Sequence, residues 1–284
     1  MAPIERFDHA LIAVADLEAA AAAYRSLGFR LTPRGEHTGK GTANYCIMFG
    51  DSYLELIGVV DPSLASGRLA ARIASAGEGG IGLAYGGDDA NTIHEALRGA
   101  GVEAEAPVSL SRPLTLDSET NEVRFANVMM PAAGLEPLIQ FVCTHQTPEL
   151  TRARHEWQLH ANGATGLNEV IIAVTEPGAH AAAMRRMFGQ QAVRERQGEV
   201  TALVEPLTLR LCTWNKIAER FPHSAVKQPS VLPHIAALCL DVTEPDAATT
   251  MWDMAGIKYF EGAGGAVYVG PSSACGVILE LSEG

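Results

Sequence analysis

The sequence of 284 residues predicts an α+β protein built from four β-α-β-β-β units, on two observations. The first is a pattern that occurs four times: an apolar strand, an acidic residue, an alanine-rich helix and a glycine. The second is that every unit closes with a strongly apolar strand. The spacings from acid to glycine are 12, 13, 13 and 12 residues, for Asp16 to Gly28, Asp88 to Gly101, Glu176 to Gly189 and Glu244 to Gly256. The opening strands are 9–15, 80–86, 169–175 and 234–240, and the closing strands are 53–59, 137–143, 207–213 and 276–282.

Each element of the unit has a local physical reason. Short apolar runs bounded by turn residues predict strands. An acidic residue suits the start of a helix, because the free N–H groups and the helix dipole favour negative charge there. A glycine suits the end of a helix, because it adopts the left-handed conformation without strain. The stretch after each glycine carries further strand and turn signals, which complete the unit.

The polar stretch 144–165 separates the second unit from the third, and it ends in the helix-breaking segment 161–165. We therefore predict a first domain at 1–146 with units 1 and 2. A linker follows at 147–165, and a second domain at 166–284 contains units 3 and 4.

Composition excludes several classes of function. The chain has 21 Lys and Arg against 33 Asp and Glu, a net charge of −12, so it lacks the basic surface that nucleic acids and anionic membranes require. We find no apolar run of the length and purity of a membrane span or a signal peptide. The five cysteines form no close pair, which predicts reduced thiols and a cytoplasmic location. The expected partner is a small-molecule substrate, and a homodimer is left open.

Several segments resemble the vicinal oxygen chelate superfamily, which includes glyoxalase I, methylmalonyl-CoA epimerase and the extradiol dioxygenases. The resemblance spans essentially the whole chain and is most specific in the first half, which looks like the glyoxalase-like domain group. It implies that the units pair into two half-open barrels. It also implies that metal ligands come from the first and last strands of each unit. The segments that carry it are 8–17, 27–29, 37–44, 53–56, 137–141 and 269–281.

In the first half, the resemblance places His9, Glu55 and Gln140 at ligand positions, with the fourth position, near Gly80, empty. An imidazole, a carboxylate and an amide oxygen suit a divalent metal such as Zn, Fe(II), Mn or Ni. His37 could supply a missing ligand or, with Glu55, act as the catalytic base. The plainer interpretation is a surface histidine and a polar cross-strand pair.

Three further residues are candidates for substrate binding in the first half. Thr42 and Asn44 enter a strand on the same face, after a loop with two glycines, and an amide suits an oxygen-rich substrate. The plainer interpretation of that stretch is a hairpin turn. Arg112, in a long insertion, could hold a carboxylate or form an exposed salt bridge.

In the second half, the equivalent positions give a second candidate metal set of Glu169, His234 and Glu280. Arg210 argues against an ion there, because a guanidinium does not lose its proton and repels cations. Arg210 could instead form an ion pair in a vestigial site or bind a substrate carboxylate.

The leading functional hypothesis is a metal-dependent isomerase or lyase of the glyoxalase type, acting on a small oxygen-rich metabolite through a stabilised enolate. Two alternatives stay open. One is an Fe(II) extradiol-type dioxygenase, and the other is a metal-free protein that binds a small molecule and confers resistance to it.

Overall fold

The four predicted β-α-β-β-β units are confirmed in a computed structural model, which describes residues 2–64, 68–152, 154–224 and 228–284. In each unit the first strand pairs in parallel with the last, and the two middle strands extend the sheet outward. Unit 1 consists of β1 (Arg6–Val14), α1 (Leu17–Ser26), β2 (Gly35–Glu36), β3 (Thr42–Phe49) and β4 (Ser52–Val59). Unit 2 consists of β5 (Gly79–Gly86), α3 (Ala90–Gly99), β6 (Val108–Leu116), β7 (Glu119–Met129) and β8 (Ile139–His145).

The second half repeats this order. Unit 3 consists of β9 (Ala164–Ala173), α5 (Ala181–Phe188), β10 (Val193–Arg196), β11 (Glu199–Val204) and β12 (Leu207–Cys212). Unit 4 consists of β13 (His234–Val242), α7 (Pro245–Ala255), β14 (Tyr259–Glu261), β15 (Val267–Val269) and β16 (Ile278–Glu283). Among the residues that the structure describes, three α-helices lie outside the units: α2 (Arg68–Ala76), α4 (Pro148–Thr151) and α6 (Trp214–Arg220).

The units pair through their first strands, which run antiparallel: β1 with β5, and β9 with β13. A β-bridge between Gly80 and Ile235 joins the two pairs, so the described strands form one open sheet. We call the concave face of units 1 and 2 the first cup and that of units 3 and 4 the second cup. The predicted domain boundaries remain a proposal, because the halves also share their largest apolar core, in which Tyr24 and Trp252 are fully buried.

Two of the four repeated helices begin with the acidic side-chain cap that the sequence predicts. The Asp16 carboxylate accepts hydrogen bonds from the backbone N–H groups of Glu18 and Ala19, at 3.0 and 2.9 Å. Asp89, rather than Asp88, caps α3. Glu176 and Glu244 occupy the corresponding positions without a side-chain cap. All four predicted glycines have positive φ, with values of 93°, 74°, 84° and 65° in chain order. None of the described helices is long and apolar enough to cross a membrane.

Candidate functional site

The first cup contains a cavity of about 590 Å³, bounded by strands of units 1 and 2. Most of its wall is apolar and aromatic, including Met48, Tyr53, Phe125, Phe141 and Trp157. The polar lining is concentrated in a few buried or partly buried side chains, and the most informative are His9, His37, Thr42, Asn44, Glu55, Arg112 and His145. An apolar cavity with a small number of converging polar groups is typical of a binding site for a small molecule.

A β-bulge in β1 builds the centre of this site. Phe7 pairs with Tyr85 and His9 pairs with Ala84, so Asp8 is an extra residue that the partner strand does not match. In a regular strand two successive side chains point to opposite faces. A bulge redirects one of them, and here the side chains of Asp8 and His9 meet. Asp8 Oδ1 lies 2.6 Å from His9 Nδ1.

His9 lies between two carboxylates. Its Nε2 is 3.3 Å from Glu55 Oε2, and its ring stacks on Tyr53 with 4.3 Å between ring centroids. Burial by itself would lower the pKa of His9, but the hydrogen bonds with Asp8 and Glu55 outweigh it and raise the pKa to about 9. Burial likewise opposes ionisation of both acids. The hydrogen bonds of Asp8 to His145 and His9 nevertheless hold the pKa of Asp8 well below its ordinary value.

Glu55 connects three predicted site residues. Asn44 Nδ2 donates to Glu55 Oε1 at 2.6 Å, and His37 Nε2 lies 3.7 Å from the same oxygen. Despite its burial, Glu55 has a pKa lowered to about 2 by its contacts with His9, His37 and Asn44. The structure therefore brings His9, His37, Asn44 and Glu55 together.

His37 is held by Thr42, whose Oγ1 lies 2.9 Å from His37 Nδ1. Burial lowers the pKa of His37, and the positive charge of Arg112 adds to this effect against the attraction of Glu55. His37 is therefore a neutral base at neutral pH, next to the buried His9 imidazolium. Two rings with pKa values displaced in opposite directions are suited to acid–base chemistry.

Gln140 does not join the predicted metal set. Its Oε1 accepts a hydrogen bond from Tyr85 at 3.2 Å, and Tyr85 belongs to the large core on the convex side of the sheet. The residues of β8 that line the cavity are the alternate ones: Ile139, Phe141, Cys143 and His145. The sequence interpretation took the wrong face of this strand. Strand register shows which residue of unit 2 corresponds to Glu55. Glu55 of β4 pairs with Leu11 of β1, and Phe141 of β8 pairs with Ala84 at the equivalent position of β5, so Phe141 is the counterpart of Glu55.

Three potential ligands were not predicted: Asp8, Cys143 and His145. His145 Nε2 lies 3.1 Å from Asp8 Oδ2 and 3.8 Å from Cys143 Sγ. Among the described residues, this is the one group of three histidine, cysteine or acidic side chains whose ligand atoms all lie within 4.8 Å of one another. The alternation of cysteine and histidine in β8 is a signal that could have indicated the cavity-facing set.

The second candidate metal set is not assembled. Glu280 pairs with Cys239, five residues along β13 from His234, which corresponds to about 16 Å. Burial and the nearby charge of Arg72 lower the pKa of His234 to about 4. By strand register, the counterpart of His9 in unit 4 is Ala237. The sequence analysis placed this position at His234, which is three residues too early.

The two acids of that set bind arginines. Glu169 contacts Arg210 and Arg220, each at 2.6 Å, and Arg220 also pairs with Glu280. The other side of the Arg210 guanidinium contacts Glu199 at 2.6 Å. Arg210 is therefore part of an ion pair, which is one of the two roles that the sequence left open. These contacts do not support the other role, binding of a substrate carboxylate. Arg220, on α6, was not singled out from the sequence.

Comparison with known proteins agrees with this architecture. The family described as "Glyoxalase-like domain" matches residues 7–188. By sequence, no curated protein matches the chain.

Solved structures resemble the chain over nearly its whole length. A hypothetical protein from Staphylococcus aureus is 12% identical with a TM-score of 0.72, over 99% of this chain and 100% of the other. A mutant 4-hydroxymandelate synthase from Streptomyces coelicolor is 14% identical with a TM-score of 0.64, over 99% and 92%. A fusion of a xylose isomerase-like TIM barrel with 4-hydroxyphenylpyruvate dioxygenase is 14% identical with a TM-score of 0.58, over 99% and 48%. At such identities these likenesses concern the fold.

The family match covers more than half of the chain, and the four paired units have the topology that the sequence resemblance implied. The chain therefore belongs to the glyoxalase-like domain family and has the vicinal oxygen chelate fold.

Proposed function

We propose that the chain is an enzyme of the glyoxalase type, which moves a proton on a small oxygen-rich metabolite in the first cup. The observation that carries this proposal is the cluster of His9, Glu55 and His37 on the wall of one apolar cavity. Such a cluster places a carboxylate, a neutral base and a charged imidazole within reach of one ligand.

The donors at this position fit a divalent metal. His9 Nε2 and Glu55 Oε2 converge in the cavity, and Asp8 holds His9 Nδ1 in the way a carboxylate orients a metal-binding histidine. Phe141 replaces a ligand in unit 2, so His9 and Glu55 would hold the ion with several positions left for substrate oxygens. When bound, the metal would act as a Lewis acid that stabilises a developing enolate. His9 must lose its extra proton to bind it.

The remaining residues act on the substrate directly. In the tautomer with the proton on Nδ1, His37 donates to Thr42 and keeps a lone pair on Nε2, which faces the cavity as the base. Glu55 is the second group able to carry the proton. Asn44 fixes the carboxylate of Glu55 by donating to it, and the aromatic wall excludes water from the proton transfer.

The metal assignment is tested by elemental analysis of protein purified without a chelating tag. We expect about one divalent ion per chain in the wild type and its loss in His9→Ala and Glu55→Gln. The exposed His155 provides a matched control, because His155→Ala leaves the metal content unchanged. If the metal is lost in His145→Ala and kept in His9→Ala, the ion belongs to Asp8, Cys143 and His145, and our assignment is wrong.

The proton transfer is tested by exchange of substrate C–H hydrogens in deuterated water, with a panel of hydroxyketones and oxo acids. His37→Gln should slow exchange by about 10²- to 10⁴-fold and leave the metal content unchanged. Unchanged exchange in His37→Gln would exclude His37 as the base.

One observation favours a second candidate, a metal-free protein that binds a small molecule. Both ring nitrogens of His9 already contact carboxylates, so the His9 imidazolium is held between Asp8 and Glu55 without an ion. Ligand-dependent thermal stabilisation without metal or turnover would support this alternative. Oxygen uptake with catechols would instead support the extradiol-type dioxygenase, for which the structural likenesses provide only the fold.

A further inference from the structure

Arg112 carries a buried positive charge for which the described chain provides no partner. The residue is 9% exposed and lies on β6, in the wall of the first-cup cavity. Within the described ranges, no carboxylate oxygen lies within 4.0 Å of its guanidinium and its side chain makes no hydrogen bond. Its Nη1 is buried with no partner atom. The residues outside the described ranges include no aspartate or glutamate.

A buried cation without a counter-charge is costly, so proteins normally pair it. The second cup shows the usual solution: Arg210 contacts Glu169 and Glu199, and Arg220 contacts Glu169 and Glu280. The two acids in the first cup, Asp8 and Glu55, are committed to histidines and to Asn44. Neither acid contacts Arg112, so its guanidinium is available to an anion from outside the chain.

The surroundings of Arg112 are shaped to keep its guanidinium in place. A Cβ atom on Gly35 would lie 2.9 Å from Arg112 Nη1 and 2.5 Å from Asn44 Oδ1. A side chain at this position would require Asn44 or Arg112 to move, so the glycine of β2 leaves room for the guanidinium beside Asn44. Arg112 and His37 both line this cavity.

We infer that the first cup binds a small organic carboxylate whose carboxylate pairs with Arg112 and whose body contacts the apolar wall. A guanidinium is planar and offers two parallel N–H groups, which match a carboxylate. The aromatic lining around Phe125 and Trp157 suits an apolar body rather than a second charged group. This inference names the substrate class of the proposed function, and depends on that function only for calling the ligand a substrate.

Matched pairs of ligands test this inference without any turnover. We would measure the affinity of propanoate, hexanoate, benzoate and 3-phenylpropanoate, each against its neutral amide, by titration calorimetry. At least one acid should bind ten-fold or more tightly than its amide. Arg112→Gln should remove that preference, whereas Arg112→Lys should keep part of it because it preserves the charge and loses the planar geometry.

A nearby arginine provides the control. Arg124 is exposed on the neighbouring strand β7 and does not line the cavity, so Arg124→Gln should leave the preference unchanged. Inorganic phosphate is a further arm, and binding of phosphate more tightly than every acid of the panel would contradict the carboxylate assignment. Equal affinity for acids and amides in the wild type, or a preference that survives Arg112→Gln, would overturn the inference.

Two readouts separate this inference from a structural role of Arg112 and from the metal. A structural role predicts a lower melting temperature for Arg112→Gln, whereas removal of an unpaired buried charge predicts one equal to or above that of the wild type. Repeating the titrations after chelation and in His9→Ala shows whether the metal binds the carboxylate. If the preference for acids is lost after chelation and in His9→Ala but kept in Arg112→Gln, the ligand carboxylate binds the metal. That result supports the proposed function and rejects the role of Arg112.

Discussion

In the first cup the concave face of the sheet bounds a cavity, whereas in the second cup α6 covers the same face. Ile217 of α6 and the adjacent Phe221 pack on strands of units 3 and 4, together with Cys212 and Tyr268. The corresponding helix of the first half, α2, packs Leu69 and Ile73 against the cup and leaves the cavity open beside them. The position of one short helix therefore distinguishes a binding site from a filled core.

The charges differ in the same way. By strand register, the pair Glu169 and Arg210 of unit 3 corresponds to the pair His9 and Glu55 of unit 1. Arg220, at the end of α6, pairs with both Glu169 and Glu280. The guanidinium of Arg220 contacts both acids of the second candidate metal set, so their carboxylates are already paired.

The largest effect is expected from Arg220→Ala in the second cup. The substitution leaves Glu280 without its arginine and Glu169 with Arg210 alone, which costs about 3 kcal/mol once the partial exposure of Arg220 is considered. The free energy of unfolding in urea measures this loss. The exposed Arg194 provides the control, and a loss equal to that of Arg194→Ala would show that the second cup is not held by these charges.

A smaller effect is expected from Glu55→Gln in the first cup, measured in chelator-treated protein. His9 loses one of its two carboxylates, so its pKa should fall by about one pH unit or more from about 9. Nuclear magnetic resonance of the His9 ring gives this value directly. In the wild type the raised pKa of His9 contributes stability that is fully present below pH 6.5, the unfolded value, and is lost as the pH rises through about 9. The lowered pKa of Glu55 contributes stability that is lost as the pH falls from 4.5 through about 2. An unchanged His9 pKa would contradict the coupling.

The smallest effect concerns His160, in the segment that connects the two halves. Arg30 donates its backbone N–H to His160 Nδ1 at 3.0 Å, and His160 Nε2 lies 2.9 Å from the Met48 carbonyl oxygen. Burial is the main reason that the pKa of His160 is lowered, so the unfolded chain binds this proton more readily. The free energy of unfolding should fall as the pH drops below 6.5.

His160→Gln should reduce that fall, which unfolding curves at pH 7.5 and pH 5.5 would measure. The exposed His155 again provides the control, because His155→Gln should leave the pH dependence as in the wild type. A fall of the same size in the wild type and in His160→Gln would assign the dependence to other groups.

Local signals in the sequence predicted the units well. The acids and glycines lie at fixed spacing because helix ends need particular side chains and a positive φ, and these needs do not depend on distant contacts. The helices α2 and α6 were missed. They follow the closing strands of units 1 and 3, outside the repeated pattern, and their role comes from the cup that each one contacts.

The site was predicted in part. His9, Glu55 and Asn44 meet as expected, because they lie on adjoining strands of one unit. Gln140 lies on the wrong face, because a shift of one residue in a strand reverses every side chain. Asp8 was not predicted, because only the mismatch between β1 and β5 turns its side chain toward His9 and His145.

By itself the sequence determined the four β-α-β-β-β units, their order and the family, since periodicity, capping residues and turn glycines act over a few residues. Only the tertiary structure decided which strand faces point into the cups, which arginines find carboxylates and which cup stays open. Those outcomes depend on strand register, on one bulge and on the packing of α6, which are set by contacts between residues far apart in the chain.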